Sequence, residues 1–241
     1  MKILKNITVF TMVMLLSVST VLEAREKNIS NFSSSASNLV DSTGTFDGNK
    51  IYADVANNGL FLDYHVSGDS ALEWPKGTGV HSIFQSALWM GATVNGSSRT
   101  IVGDYTQDMG PGPWGGDPLA AVHRIYKVEK SMLASPLDFA DFQEWPVEFG
   151  APWVDVDGDG VYTPLPGGTD HPEFLGDQVL WFVSNDGDPA YKLNFGTSPM
   201  NVEIQTTMFG FDRPDVFGDM VFLKQLVINK GSDDLVDTYM G

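Results

Sequence analysis

The residues best suited to chemistry lie in Asp155-Val156-Asp157-Gly158-Asp159-Gly160, where carboxylates recur at every second position and glycines sit where a chain wrapping an ion must turn sharply. This spacing gathers hard, anionic oxygens, which is the chemistry of a divalent cation and above all of calcium. The Val161 carbonyl stands where a seventh-position backbone ligand is expected. Position twelve, where a bidentate glutamate closes an EF-hand loop, is Pro166, so the last ligand must come from elsewhere. Asp170, Glu173 and Asp177 are the nearest candidates, and the expected metal set is Asp155, Asp157, Asp159, Val161 and Asp170. The competing reading is a solvated acidic turn between Trp153 and Tyr162.

Other constellations carry less. Asn185-Asp186-Gly187-Asp188 reads as a turn after a strand rather than a second ligand set. Gly68-Asp69-Ser70-Ala71-Leu72 resembles the nucleophile block of GDSL esterases, but the Gly-x-Asn-Asp and Asp-x-x-His blocks that the family needs are missing. His65, His81, His123 and His171 are scattered, with no zinc spacing among them. Thirty-one acidic residues make carboxylate pairs unavoidable, so a glycosidase pair is not singled out. No catalytic residue is assigned. Of the six tryptophans, Trp89 and Trp181 sit inside apolar runs and are expected to be buried. Trp74 and Trp114 lie in Pro/Gly loops, where an exposed ring can stack on a sugar, and they form the expected ligand surface.

The elements that must position these residues begin after an export signal. Lys2 and Lys5 form a basic start, Ile7 to Val21 run almost without polar interruption, and the chain turns polar at Glu23-Ala24-Arg25, with Ala24 before the expected cut. About 15 apolar residues make roughly 22 Å of helix against a hydrocarbon core of roughly 30 Å, which favours a cleaved signal over an anchor. No cysteine is present, so neither a lipidated cysteine nor a disulfide is available. The remaining part, roughly 217 residues with a net charge of about −18, repels nucleic acid and favours cations. Rigidity outside the cell must then come from core packing or bound metal. No second apolar run is long enough to span a bilayer.

Residues 25–50 are rich in Ser and Asn and read as a flexible leader, with the folded part starting near Ile51. From there strand-like runs alternate with turn residues: Leu60 to Val66, Ser86 to Val94, Thr100 to Tyr105, Val122 to Val128, Gln178 to Ser184, Val202 to Phe211 and Met220 to Asn229. Asn95-Gly96 predicts a hairpin turn, because both positions tolerate positive φ. One short helix is expected after Ser135-Pro136, with Leu137, Phe139, Ala140 and Trp145 facing a core. The pattern predicts an all-β fold, an antiparallel β-sandwich over residues 51–241. Leu235 to Gly241 reads as the start of a returning strand, as expected of part of a longer chain.

Several motifs together carry a resemblance. They are Asn57-Asn58-Gly59, Glu73-Trp74-Pro75-Lys76-Gly77-Thr78-Gly79, Leu88-Trp89-Met90-Gly91-Ala92, Gly103-Asp104-Tyr105, Gly150-Ala151-Pro152 and the run from Gly176 to Asp186. Together they resemble the amino-terminal region of large secreted proteins of Bacteroidetes-type bacteria that end in a type IX secretion sorting domain. The acidic core also resembles the loops of dockerin and thrombospondin type 3 repeats. The first resemblance implies surface attachment and further modules downstream, and it transfers no catalytic residue. The expectation is a secreted or cell-surface, non-catalytic, calcium-stabilised module for adhesion, scaffolding or contact with an extracellular glycan or cell-surface protein. The alternative is part of a secreted hydrolase acting on polysaccharide or ester.

Overall fold

Gln178–Asn185 is buried at every position, and the rest of the fold is assembled on this strand. The computed structural model describes residues 42–61, 72–103, 108–165 and 170–241. In chain order the strands are β1 (Thr43–Phe46), β2 (Tyr52–Ala56), β3 (Leu60–Phe61), β4 (Leu72–Glu73), β5 (His81–Ile83), β6 (Ser86–Ala87), β7 (Met90–Val94) and β8 (Ser97–Ile101). They continue as β9 (Gly110–Pro111), β10 (Tyr126–Glu129), β11 (Trp153–Val154), β12 (His171–Pro172), β13 (Gln178–Asn185), β14 (Val202–Gly210), β15 (Phe222–Asn229) and β16 (Val236–Met240). One four-residue helix, α1 (Ala140–Gln143), and short 3-10 turns join them, so the fold is all-β and sandwich-like, as the sequence predicts.

The central sheet runs β10-β13-β14-β15, with β9 beside the end of β13 and every pairing antiparallel. A second sheet runs β5-β4-β2-β3-β6 with β1 against β2, and a third runs β16-β7-β8. Side chains alternate across a strand, so β13 sends Leu180 and Phe182 to one face and Val179, Trp181 and Val183 to the other. Leu180, Phe182 and Met208 meet Phe46, Val55 and Phe61 of the second sheet. Val202 and Ile204 of β14 meet Met90, Ala92 and Val94 of the third. On the far face, Val179, Trp181 and Val183 pack with Phe142 and Trp145 from the helical stretch. Burial on both faces explains why β13 reads as a nearly unbroken apolar run.

The hairpin forms at Asn95 and Gly96, with φ of 51° and 77°, between β7 and β8. Several local expectations need correction. The fold starts before Ile51: Phe46, within the expected leader, is fully buried, and β1 pairs with β2 along its length. A single aromatic is enough there because the strand ladder supplies the remaining contacts. Ser86 to Val94 breaks at Leu88-Trp89, where the chain passes from the second sheet to the third. Met90, Ala92 and Val94 face inward, so alternation turns Trp89 outward, and it is 51% exposed rather than buried.

The expected helix is a 3-10 turn at Pro136–Asp138 followed by α1, and Ser135 makes no side-chain cap bond. Trp145 and Phe142 are buried, but Leu137, Phe139 and Ala140 are exposed, because a 3-10 turn presents a different face from an α-helix. Val122 to Val128 is strand only from Tyr126; of the run Thr100 to Tyr105, β8 takes in Thr100 and Ile101, and Asp104 and Tyr105 lie outside the described residues. The expected signal, the leader through residue 41, most of the run Leu60 to Val66, His65 and Ser70 lie outside the described residues. Among the described residues no helix is long and apolar enough to cross a membrane.

Candidate metal centre

β11 pairs with β12 so that Val154 faces His171, which sets Asp155, just after β11, beside Asp170, just before β12. The loop between them carries the acidic motif. Asp155, Asp157, Asp159 and Asp170 each place one carboxylate oxygen so that all four lie within 4.8 Å of one another. The first three are exposed, whereas Asp170 is 1% exposed. Glu173 and Asp177, the other candidates for the closing ligand, lie elsewhere: Glu173 reaches toward Lys224 at 3.9 Å, and Asp177 accepts from the Asp212 N–H at 3.0 Å.

The chain folds around its own carboxylates. Asp155 accepts the N–H groups of Gly158 and Gly160 at 2.7 and 2.9 Å, and both glycines take the positive φ expected of this turn. Asp157 accepts from Asp159 N–H at 3.1 Å, and Asp159 from Val161 N–H at 2.7 Å. Asp170 draws the two ends of the loop together, accepting Val156 N–H at 2.9 Å and Thr163 N–H at 2.8 Å. Val161 is exposed, and its carbonyl accepts from the Thr163 hydroxyl at 3.4 Å. A carboxylate oxygen that accepts one such bond keeps a further lone pair.

The loop is joined to the core. Trp153 and Tyr162 meet edge to face at 5.6 Å, both pack against the cluster that contains Trp145 and Trp181, and the Tyr162 hydroxyl donates to the Phe142 carbonyl at 2.6 Å. Burial, with the Asp170 charge beside it, pushes the Tyr162 hydroxyl well above its ordinary range. The Asp159 N–H bond favours ionised Asp157, but desolvation and the charges of Asp159, Asp170 and Asp155 outweigh it and hold that carboxyl above the usual aspartate range. Mutual repulsion of this kind is relieved by a cation. Oxygens bound across one calcium ion sit up to about 5 Å apart, so one ion fits the observed spread.

The two loop tryptophans are exposed as expected, Trp74 at 45% and Trp114 at 44%. The Trp74 indole donates to Asp219 at 3.0 Å, and Asp219 also pairs with Lys50 at 2.9 Å. Among the described residues no histidine joins the acidic group: His81 is an exposed strand residue and His123 is buried against Phe149. Asn185 ends β13 and accepts from Gly187 N–H at 2.9 Å, and the chain bends at Asp186. Asp186, however, is fully buried beside Lys192 and Asp108. Sequence reasoning missed this group, because nothing in local spacing links the distant Asp108 to Asp186 and Lys192.

These features define an all-β, sandwich-like protein with an aspartate cluster able to hold a metal ion. No protein-family model, no curated protein and no solved structure matches the chain.

Proposed function

We propose that this chain is a non-catalytic module of a secreted or cell-surface protein, stabilised by calcium and serving adhesion, scaffolding or glycan contact. The observation that carries the reading is the convergence of Asp155, Asp157, Asp159 and buried Asp170 on one ion-sized space. Calcium takes six to eight oxygens, and the four aspartates, the Val161 carbonyl and water supply donors of the right hardness. The ion neutralises the carboxylates, fixes the loop and, through Trp153 and Tyr162, steadies the packing over Trp145. It adds RT ln(1 + [Ca]/Kd) to stability. Outside the cell a Kd of about 10⁻⁴ to 10⁻³ M is tight enough for occupancy.

The extracytoplasmic part of the proposal rests on the basic and apolar pattern of Lys2 to Val21 and the resemblance to secreted proteins that carry a type IX sorting domain. A calorimetric calcium titration of the purified protein, paired with thermal melts in calcium and in chelator, tests the centre. Saturable binding with a raised Tm is the expected result. No binding would reduce the loop to a solvated turn.

A further inference from the structure

At the end of β13 a cleft of about 340 Å³ is lined by Gly110, Trp114, Asn185, Asp188, Pro189 and Tyr191. That volume is within the range of small-molecule sites. Its exposed wall is the Trp114 ring. Trp114 is held at both its backbone and its indole N–H. Its backbone N–H donates to Glu203 Oε2 at 2.9 Å, and its indole N–H donates to Asn201 Oδ1 at 3.3 Å.

Both anchors are themselves fixed. Glu203 is 2% exposed, receives the Gln205 amide at 3.1 Å and lies 3.3 Å from Lys230 Nζ. Asn201 holds a φ of 60°, a sparsely populated conformation for a non-glycine residue, while its carbonyl accepts from Lys230 and Gly231 N–H groups. Asn185 donates to the carbonyls of Gly112 and Pro113 at 2.9 and 3.2 Å, fixing the approach to Trp114. The indole edge lies so close to Gly187 that a Cβ there would meet it at 2.7 Å. In the same lining, Asp188 Oδ1 accepts from Ala190 N–H at 2.9 Å, which leaves Oδ2 for a ligand.

A rigid, half-exposed aromatic face and an open carboxylate lining one cleft have the chemistry to recognise a sugar ring. The apolar CH face of the ring covers the indole, and a ring hydroxyl donates to the carboxylate. The formal net charge of −17 and Asp188 at the cleft disfavour uronates, sulfates and phosphates. We propose that the Trp114 cleft is a subsite for one ring of a neutral, hydroxyl-rich glycan, stacked on Trp114 and hydrogen-bonded to Asp188. The inference deepens the glycan-contact role proposed above and rests on that reading for the supply of such a ligand.

The test is calorimetric titration of the purified protein with chitohexaose, cellohexaose, mannohexaose and xylohexaose, and with polygalacturonate as an anionic control. At least one neutral oligomer should bind saturably. Trp114→Ala should weaken it about tenfold or more, and Trp114→Phe should keep most of the affinity by keeping an aromatic face. Asp188→Asn should weaken it severalfold. Thermal melts of each variant separate lost binding from lost folding. No binding by any neutral oligomer, binding that survives Trp114→Ala, or tighter binding of polygalacturonate overturns the proposal. Glycan binding without a calcium response overturns the metal centre alone, and a calcium response without glycan binding overturns the subsite alone.

Discussion

Lys192 Nζ lies 3.6 Å from Asp186 Oδ2 where the two side chains are 3% and 0% exposed, and Asp108 completes the group at 3.7 Å. The lysine also donates to the Thr100 carbonyl. Asp186 accepts the N–H groups of Met200 and Val202, and Asp108 those of Val102 and Asn194. The group therefore ties the segment between β13 and β14 to the end of β8. Burial holds the Asp186 carboxyl above its ordinary range despite these bonds, and the same burial holds the Lys192 ammonium below its own.

Lys192→Met keeps the apolar stem and removes the charge, leaving two buried carboxylates without their shared cation. Stability should fall by about 3–5 kcal/mol, read as a drop in the urea midpoint. A loss below about 1 kcal/mol would mean that the backbone N–H bonds hold both carboxylates without help.

Phe46 tests where the domain begins. It is fully buried against Leu180, Phe182 and Met208 of the central sheet. Phe46→Ala should cost about 3–5 kcal/mol by urea unfolding, as for other buried aromatics. An unchanged midpoint would make β1 an ornament and return the start of the domain to Ile51.

The parts of the fold written in local pattern were the readable ones. Gln178 to Ser184 and Val202 to Phe211 are apolar runs bounded by turn residues, and both are strands close to those limits. Asp155, Asp157 and Asp159 are legible as a cluster because their alternation gathers three carboxylates in one short loop. Asp170 was only one of three candidates, because what selects it is the two-residue ladder of β11 and β12, which no local pattern announces. Trp89 was misjudged because the apolar run around it outweighed strand parity. The Lys192 group and the tethers of Trp114 were illegible for one reason: Asp108 reaches Lys192, and Trp114 reaches Asn201 and Glu203, only after the sheets assemble.

The calcium reading separates two aspartates of the same cluster. Asp157 is exposed and, among the described residues, accepts only the neighbouring Asp159 N–H, so Asp157→Ala should lower the Tm only when calcium is present. Asp170 is buried and bonds both ends of the loop, so Asp170→Ala should lower the Tm in chelator as well, and further in calcium. Equal losses for Asp157→Ala in calcium and in chelator would sink the metal centre, because the residue would then act only as part of a turn.

Acid should loosen the first strand's attachment through Asp47. Its carboxylate is partly desolvated, which raises its pKa, but bonds from Lys127 and Gln178 and the charges of Lys127 and Lys76 outweigh this and hold the carboxyl below the usual aspartate range. Its folded pKa therefore lies below its unfolded value of about 3.9, so its contribution is complete above that value and is lost as pH falls through the folded one. The side chain is 44% exposed, so screening limits the contribution to under about 1 kcal/mol. Urea midpoints of the native protein and of Asp47→Asn, taken from about pH 6 down to about pH 2, should differ most at the upper end and converge at the lower. Added salt should narrow the gap at pH 6. A gap that stays constant across the range would show that Asp47 acts through the shape of its hydrogen bonds, with its charge contributing nothing.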